Sequence, residues 1–218
     1  LIPFLLIVLA ADPLPAILAQ MDSNSAAFHS AKANLKRVTH NEAVDIDNEA
    51  TGTMVLKRPA AHDVRTLVSI TAPAPQEVYV GTGVAQIYYP KINTIQEYKV
   101  DGKNQSVFEQ FYLLAFGGSG KDLAGNYDIS FVASETAGGV KASHLQLLPK
   151  AADVRKKISK IDLWLSEGKA IPAQLRVSQP SGDTTTFTYT DVKLNPKISE
   201  ADLKLHTAKG AVVQHPGQ

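Results

Sequence analysis

Apolar residues are spread unevenly along this chain. Leu1 to Ala11, LIPFLLIVLAA, is an uncharged apolar run. Asp12 and Pro13 interrupt it, and LPAILAQ follows. A run of this length is too short to cross a bilayer as a helix and suits the core of an export signal. Cleavage is expected after Ala19, giving a signal peptide over 1–19 and a single domain over 20–218. No second long apolar run follows, so the mature protein is expected in solution outside the cytoplasm.

The pattern then becomes amphipathic. Between Asp22 and Val38, Asp/Ser/Asn capping candidates precede Phe28, Ala31, Leu35 and Val38 at helical spacing, which predicts a helix. From Gly52 onward short runs suited to strands cover 53–57, 77–80, 85–89, 94–100, 127–133, 144–148, 160–165, 173–178, 184–194 and 201–205. Turn signals divide them, among them Pro73-Ala74-Pro75, Asp101-Gly102-Lys103, Gly138-Gly139 and Glu167-Gly168-Lys169. In 184–194 the pleat puts Phe187, Tyr189, Asp191 and Lys193 on one face.

Gln105 to Phe116, QSVFEQFYLLAF, breaks the strand series. A helix apolar nearly all round must be buried on more than one side, and a helix plugging a curved sheet meets that demand. Gly117 to Lys121 reads as a mobile hinge, and a short helical turn is expected over 151–157. The fold class is therefore mainly β with helices (α+β): an antiparallel meander of about ten strands that curls. Helices on its concave face would enclose an apolar cavity.

Composition narrows the chemistry. Lys and Arg number 22 against 21 Asp and Glu, so nothing marks a nucleic-acid partner. The absence of cysteine removes disulfides, thiol nucleophiles, thiolate metal sites and acylated-cysteine anchors, so the protein is expected free of a lipid anchor. Gly117-Gly-Ser-Gly-Lys121 fails the phosphate-loop pattern, because Ala115 and Asp122 stand at key positions. The six histidines lack ligand spacing and read as surface or loop residues. Asp45, Asp47 and Glu49 read as a solvated hairpin, and Arg155, Lys156, Lys157 and Lys160 as a solvated turn. No catalytic, metal or cofactor constellation is visible, and a non-enzyme is expected.

The order of short motifs resembles the LolA family of periplasmic lipoprotein carriers. Gly52-Thr-Met-Val-Leu-Lys-Arg-Pro59 is similar to its glycine-led strand ending in Arg-Pro. Gln86-Ile-Tyr-Tyr-Pro90, Phe111-Tyr-Leu-Leu114, Leu145-Gln-Leu-Leu-Pro-Lys150 and Ile161-Asp-Leu-Trp-Leu165 follow in the family's order. Ala201 to Leu205 resembles its closing strand. The resemblance implies an incomplete β-barrel of about eleven strands with a helical lid over a hydrophobic cavity. It implies that Arg58 hydrogen-bonds to the lid helices and helps hold the cavity shut. It also implies a monomeric carrier of acylated lipoproteins or another lipid, working between an inner-membrane release complex and an outer-membrane acceptor. Ala60-Ala-His-Asp63 lacks the aromatic of the family's docking loop. An alternative is a lipid-sensing or regulatory module of the same fold that contacts an envelope membrane protein; such regulators carry a second domain, for which 218 residues leave no room.

Cavity and lid candidates are Arg58, Leu56, Val80, Ile87, Tyr89, Phe111, Leu114, Phe131, Leu147 and Trp164, with Met54, Val55, Val78, Tyr88, Leu145, Leu163 and Leu175 beside them. Only alternate residues of a strand can face inward, and the pattern leaves open which. The physics of such a cargo is plain. Each buried acyl methylene is worth about 0.8 kcal/mol, so a multiply acylated molecule cannot cross water unaided.

Overall fold

A computed structural model describes residues 12–60, 63–81, 83–100 and 116–216. Helix α1 (Leu14–Ala27) comes first. Strands β1 (Ser30–Asn41), β2 (Ile46–Ala60), β3 (Asp63–Ala72), β4 (Gln76–Gly81), β5 (Val84–Tyr89) and β6 (Thr94–Lys99) follow. Helix α2 (Gly120–Asn126) leads into β7 (Tyr127–Ala137) and β8 (Val140–Pro149). A short α3 (Ala152–Arg155) precedes β9 (Lys160–Ser166), β10 (Pro172–Ser178), β11 (Thr184–Leu194) and β12 (Val212–Gln214).

These twelve strands form one open, curled sheet in the order β12-β6-β5-β4-β3-β2-β1-β11-β10-β9-β8-β7. Two antiparallel meanders, β1 to β6 and β7 to β11, meet where β1 pairs with β11. Among the described strands only β12 runs parallel to its neighbour, β6. This is the expected mainly-β incomplete barrel, with one strand more than the resemblance implied.

The concave face carries the main core. Ala31, Ala33 and Leu35 of β1, Met54 and Leu56 of β2, Leu145 and Leu147 of β8, Leu163 of β9 and Leu175 of β10 are buried there. On α1, Met21 is buried and Leu14, Ile17 and Leu18 pack against the same core. Full burial of such a side chain contributes about 1.5–3 kcal/mol and partial burial a share of it, and together these keep the short helix in place.

The convex face of β1 to β6 is crossed by the chain after β11. Lys32 pairs with Asp202 at 2.9 Å, Lys57 with Glu200 at 2.6 Å and Arg65 with Glu200 at 3.1 Å. Glu77 accepts from the His206 backbone N–H at 2.6 Å. The Tyr88 hydroxyl accepts from the Ala208 N–H at 3.0 Å. Ile198 and Leu203 bury against Leu67 beneath these pairs.

Several expectations are corrected. The helix over 22–38 does not form. The helix is α1, and 30–41 is a strand in which Ala31, Ala33 and Leu35 face inward while Asn34 and Lys36 are exposed. That period of two competes with the helical spacing of Phe28, Ala31, Leu35 and Val38, and its small alanines make it easy to overlook. Asp12 and Pro13 start α1: the Asp12 carboxylate accepts from the Leu14 N–H at 2.9 Å, and proline occupies the first turn. Ala19 lies inside that helix.

Residues 201–205 form no strand. Ala201–Leu203 is a 3-10 turn, fixed by the Asp202 carboxylate accepting from the Ser199 N–H at 2.8 Å and hydroxyl at 2.6 Å. Strand β3 has no counterpart among the expected runs. Val68 and Ile70 face the core while Leu67 is buried on the convex side, so clean alternation is lost. Ser119 and Gly120 are no simple hinge: the Ser119 hydroxyl caps α2 by accepting from the Asp122 N–H at 2.9 Å.

Asp191 takes a left-handed conformation (φ 51°) at a bulge opposite Ala33. The bulge reverses the pleat, so Phe187 and Tyr189 face the core and Val192, not Asp191 or Lys193, continues inward. The hairpin at Asp45 and the turn over 152–155 are where the pattern put them. The expected helix over 105–116 lies outside the described residues except for Phe116.

Candidate functional site

Three features converge on the concave face: a cavity, the helix that covers part of the face, and the arginine at that helix's end. Helix α1 stops at Ala27, so its last carbonyls need donors. Arg58, in β2, supplies them. Its Nη2 donates to the Ser25 carbonyl at 2.5 Å and the Phe28 carbonyl at 2.8 Å, and its Nη1 to the Gly117 carbonyl at 3.3 Å. The guanidinium also lies over the Phe28 ring, 5.2 Å from its centroid. Burial pushes its pKa below the usual arginine value, and the helix's negative end offsets part of that desolvation.

Gly117 belongs to the same junction. Its φ is +95°, and a Cβ there would stand 2.5 Å from the Phe28 ring. The Ser25 hydroxyl donates to the same Gly117 carbonyl at 2.6 Å. Further ties hold α1: Asn24 donates to the Lys169 carbonyl at 2.7 Å, Asn195 donates to the Ala27 carbonyl at 2.9 Å, and Asp22 accepts from the Lys121 N–H at 3.0 Å. Arg58 thus ties the end of α1 to Gly117.

The cavity, about 190 Å³, lies within the curl of β1 to β4, flanked by β11. Leu35, Met54, Val68, Ile70, Val78, Phe187 and Tyr189 line it, with Gln76 and Arg37 as its other polar groups. Phe116 meets Tyr189 edge-on, with ring centroids 4.9 Å apart. Met54 and Val78 are sequence candidates. Leu35, Arg37, Val68, Ile70, Phe187 and Tyr189 are not. Leu35 and Arg37 were hidden by the helix reading of β1, and Val68 and Ile70 by the missed β3. The alternation Ala31-Ala33-Leu35 is the signal that points to the first pair.

The remaining candidates divide by face. Leu56 and Leu147 are fully buried in the concave core, and Phe131 packs against it. Val80 packs with Ala85 and Val100, and Ile87 pairs with the cavity-lining Val78. Tyr89 shares the face of Ile87 two residues on. Phe111 and Leu114 lie outside the described residues. Trp164 is not in the cavity. The register of β9 turns it to the convex face, opposite the inward Leu163 and Leu165, with Ala137 and Ala142. Val55 and Tyr88 are likewise convex, Val55 against Leu67 and Tyr88 beneath Ala208.

Trp164 sits in a polar cluster that the pattern did not reveal. Its indole N–H donates to Glu135 at 2.5 Å, and its ring stacks on His144 with centroids 4.3 Å apart. His144 bridges Glu135 at 2.9 Å and Asp162 at 3.0 Å, and Lys160 reaches Asp162 at 3.0 Å. His144 is thus a mostly buried strand residue, not a surface one. Asp162 is 2% exposed, and such a carboxylate needs these partners. Among the described residues no group of acidic and histidine side chains is arranged to hold a metal ion. Among them, too, no helix is long and apolar enough to cross a membrane.

No protein-family model matches the chain, and no curated protein matches it. Solved structures do. An uncharacterized conserved protein of Thermus thermophilus superposes with a TM-score of 0.57 at 13% identity, over 92% of this chain and 98% of its own. MucB superposes with a TM-score of 0.54 at 16% identity, over 88% of this chain. The match spans 62% of MucB's own length. The Mycobacterium tuberculosis lipoprotein LppX superposes with a TM-score of 0.50 at 11% identity, over 85% of this chain and 98% of its own. At these identities the likeness is one of fold. The fold is LolA-like, as the motif order implied.

Proposed function

We propose that this chain is a non-enzymatic, extracytoplasmic lipid carrier. It takes the acyl chains of a lipoprotein, or of another lipid, against the concave face and shuttles them toward the outer membrane. In this reading it works as a monomer between an inner-membrane release complex and an outer-membrane acceptor. An export signal at the N-terminus belongs to the same proposal. One observation carries it: an apolar concave face, already hollow where β1 to β4 curl toward β11, is partly covered by a helix whose end is fastened by Arg58. Such a plug is stable while closed, yet its polar ties are few enough to exchange for cargo contacts. Leu56, Val80, Ile87, Tyr89, Phe131 and Leu147 are proposed to meet cargo as α1 moves, and Phe111 and Leu114 remain lid candidates.

Native mass spectrometry of protein purified from its envelope, with lipid identification, tests this. Adducts of acyl lipid or acylated peptide are expected. Protein that binds neither, as purified or after incubation with them, overturns the reading.

A second reading keeps the lipid site but makes it a sensor that contacts an envelope membrane protein. Exposed Ile92, Val212 and Val213, gathered where β12 pairs with β6, favour it as an apolar edge for a partner. MucB is itself known in a complex structure with MucA. Transfer of bound lipid to acceptor vesicles supports the carrier, and retention of lipid supports the sensor.

A further inference from the structure

Among the described residues that line the cavity there is one cation and no acid. Arg37 follows Leu35 on the inward face of β1, between Phe187 of β11 and Ala50 of β2. The remaining lining is apolar apart from Gln76 and Tyr189. The Nε of Arg37 is buried and has no hydrogen-bond partner among the described residues. A buried guanidinium N–H without an acceptor is unfavourable, and arginine is ordinarily placed where a planar oxyanion meets its fork. The other charges of this strand turn away: Lys36 pairs with Glu49 at 2.7 Å, and Lys32 with Asp202, on the convex side.

We propose that Arg37 receives the anionic headgroup, a carboxylate or phosphate, of an acyl amphiphile whose chain enters the apolar cavity. This rests on the lipid-carrier reading and adds the headgroup chemistry. The positions of the two concave-side arginines fit it. Ser30 pairs with Lys57, beside Arg58, and Arg37 pairs with Ala50. About seven residues of strand separate these points, about 23 Å at the usual rise. One arginine holds the helix beyond the cavity's lining; the other presents an unmet donor within that lining. An anchored headgroup leaves its chain pointing toward α1, the element that must move to lengthen the pocket.

Displacement of an uncharged apolar dye by laurate and by dodecanol isolates the headgroup, because the chains are the same length. Wild-type protein is expected to bind laurate roughly tenfold to a hundredfold more tightly than dodecanol, the range for a hydrogen bond to a charged group. Arg37→Gln should bring that ratio to about one, and Arg37→Lys should keep part of it. Arg37→Met should also melt higher than wild type without ligand, since it removes an unsatisfied buried donor. Equal affinities in the wild type, or an unchanged preference in Arg37→Gln, overturn the proposal. If dodecanol still displaces the dye in that case, the carrier reading stands. If neither amphiphile displaces it, both readings fall. Inorganic phosphate alone should leave the dye in place; displacement by phosphate as effective as by laurate marks a bare anion site and overturns the proposal. The wild-type comparison needs no variant, so a misfolded substitution leaves the test intact.

Discussion

Arg58 meets Phe28 twice, donating to its carbonyl at 2.8 Å and covering its ring at 5.2 Å. One side chain therefore fixes both where α1 ends and how the chain enters β1. Arg58→Leu removes these bonds, orphans the Phe28 carbonyl and leaves the Ser25 carbonyl with only the Phe28 N–H, at 3.3 Å. A loss of about 1–3 kcal/mol in α1 docking is expected. Amide exchange across 14–27 should quicken while the paired core of β8 and β9 stays protected. Apolar dye should bind faster without ligand, and cargo release should weaken. Unchanged exchange over α1 would count against a fastening role.

Gly117→Ala tests the same junction from the other side. The added methyl meets the Phe28 ring, and the positive φ disfavours any side chain. Destabilisation of about 1–3 kcal/mol is expected by thermal or urea melting. A neutral effect would mean that the junction adapts freely.

Truncation separates two boundaries for the domain. A chain starting at Asp12 keeps the first turn of α1; one starting at Gln20 loses Leu14, Ile17 and Leu18 from the core. The longer form should be the more stable by several kcal/mol, on the order of two or three partly buried aliphatic side chains. Equal melting temperatures would show that those contacts contribute little.

Trp164 is the one tryptophan of the chain, and it faces away from the cavity. Its emission should barely shift when laurate binds. Trp164→Phe deletes the indole bond to Glu135 and should destabilise the protein by about 1–2 kcal/mol while leaving lipid affinity intact. A large blue shift on binding would place cargo on the convex face.

The fold class was legible because nine of the ten runs of strand-like alternation, all but 201–205, and their turns lie in plain order. The α1 and β1 assignments were not. Alanine satisfies a helical and an extended reading alike, and only the pairing of β1 with both β2 and β11 decides between them. Strand β3 stayed hidden because residues 196–209 cover its outer face, so Leu67 can be apolar there. Arg58 was recognisable from the Arg-Pro that ends its motif. Arg37 had no motif, and Trp164 was misassigned because pleat parity in β9 follows from register rather than from composition.

Acid should release the covering segment late. The Ser199 hydroxyl, then Lys32, hold Asp202 well below the usual carboxylate range; the hydrogen bond from Lys57 lowers Glu200. For a depressed carboxylate the stabilisation is present above the unfolded-state value and is lost as pH falls through the folded one. Amides of Ala208 and Val212 should therefore stay protected through mild acid and exchange quickly only below the ordinary carboxylate range. Ser199→Ala should move that loss to higher pH. Early release in the wild type would show that these ion pairs do not hold the segment.

The seam between β1 and β11 also sets a schedule. Each meander can zip from local hairpins, but Ala31 must wait for Leu194 before the sheet is continuous. Closing so long a loop is entropically slow, and proteins rich in distant pairings fold slowly. Until the seam closes, β1 is a bare edge beside an unfinished apolar hollow. The nascent chain is then most exposed to edge-to-edge association at the strand that later becomes the middle of the sheet.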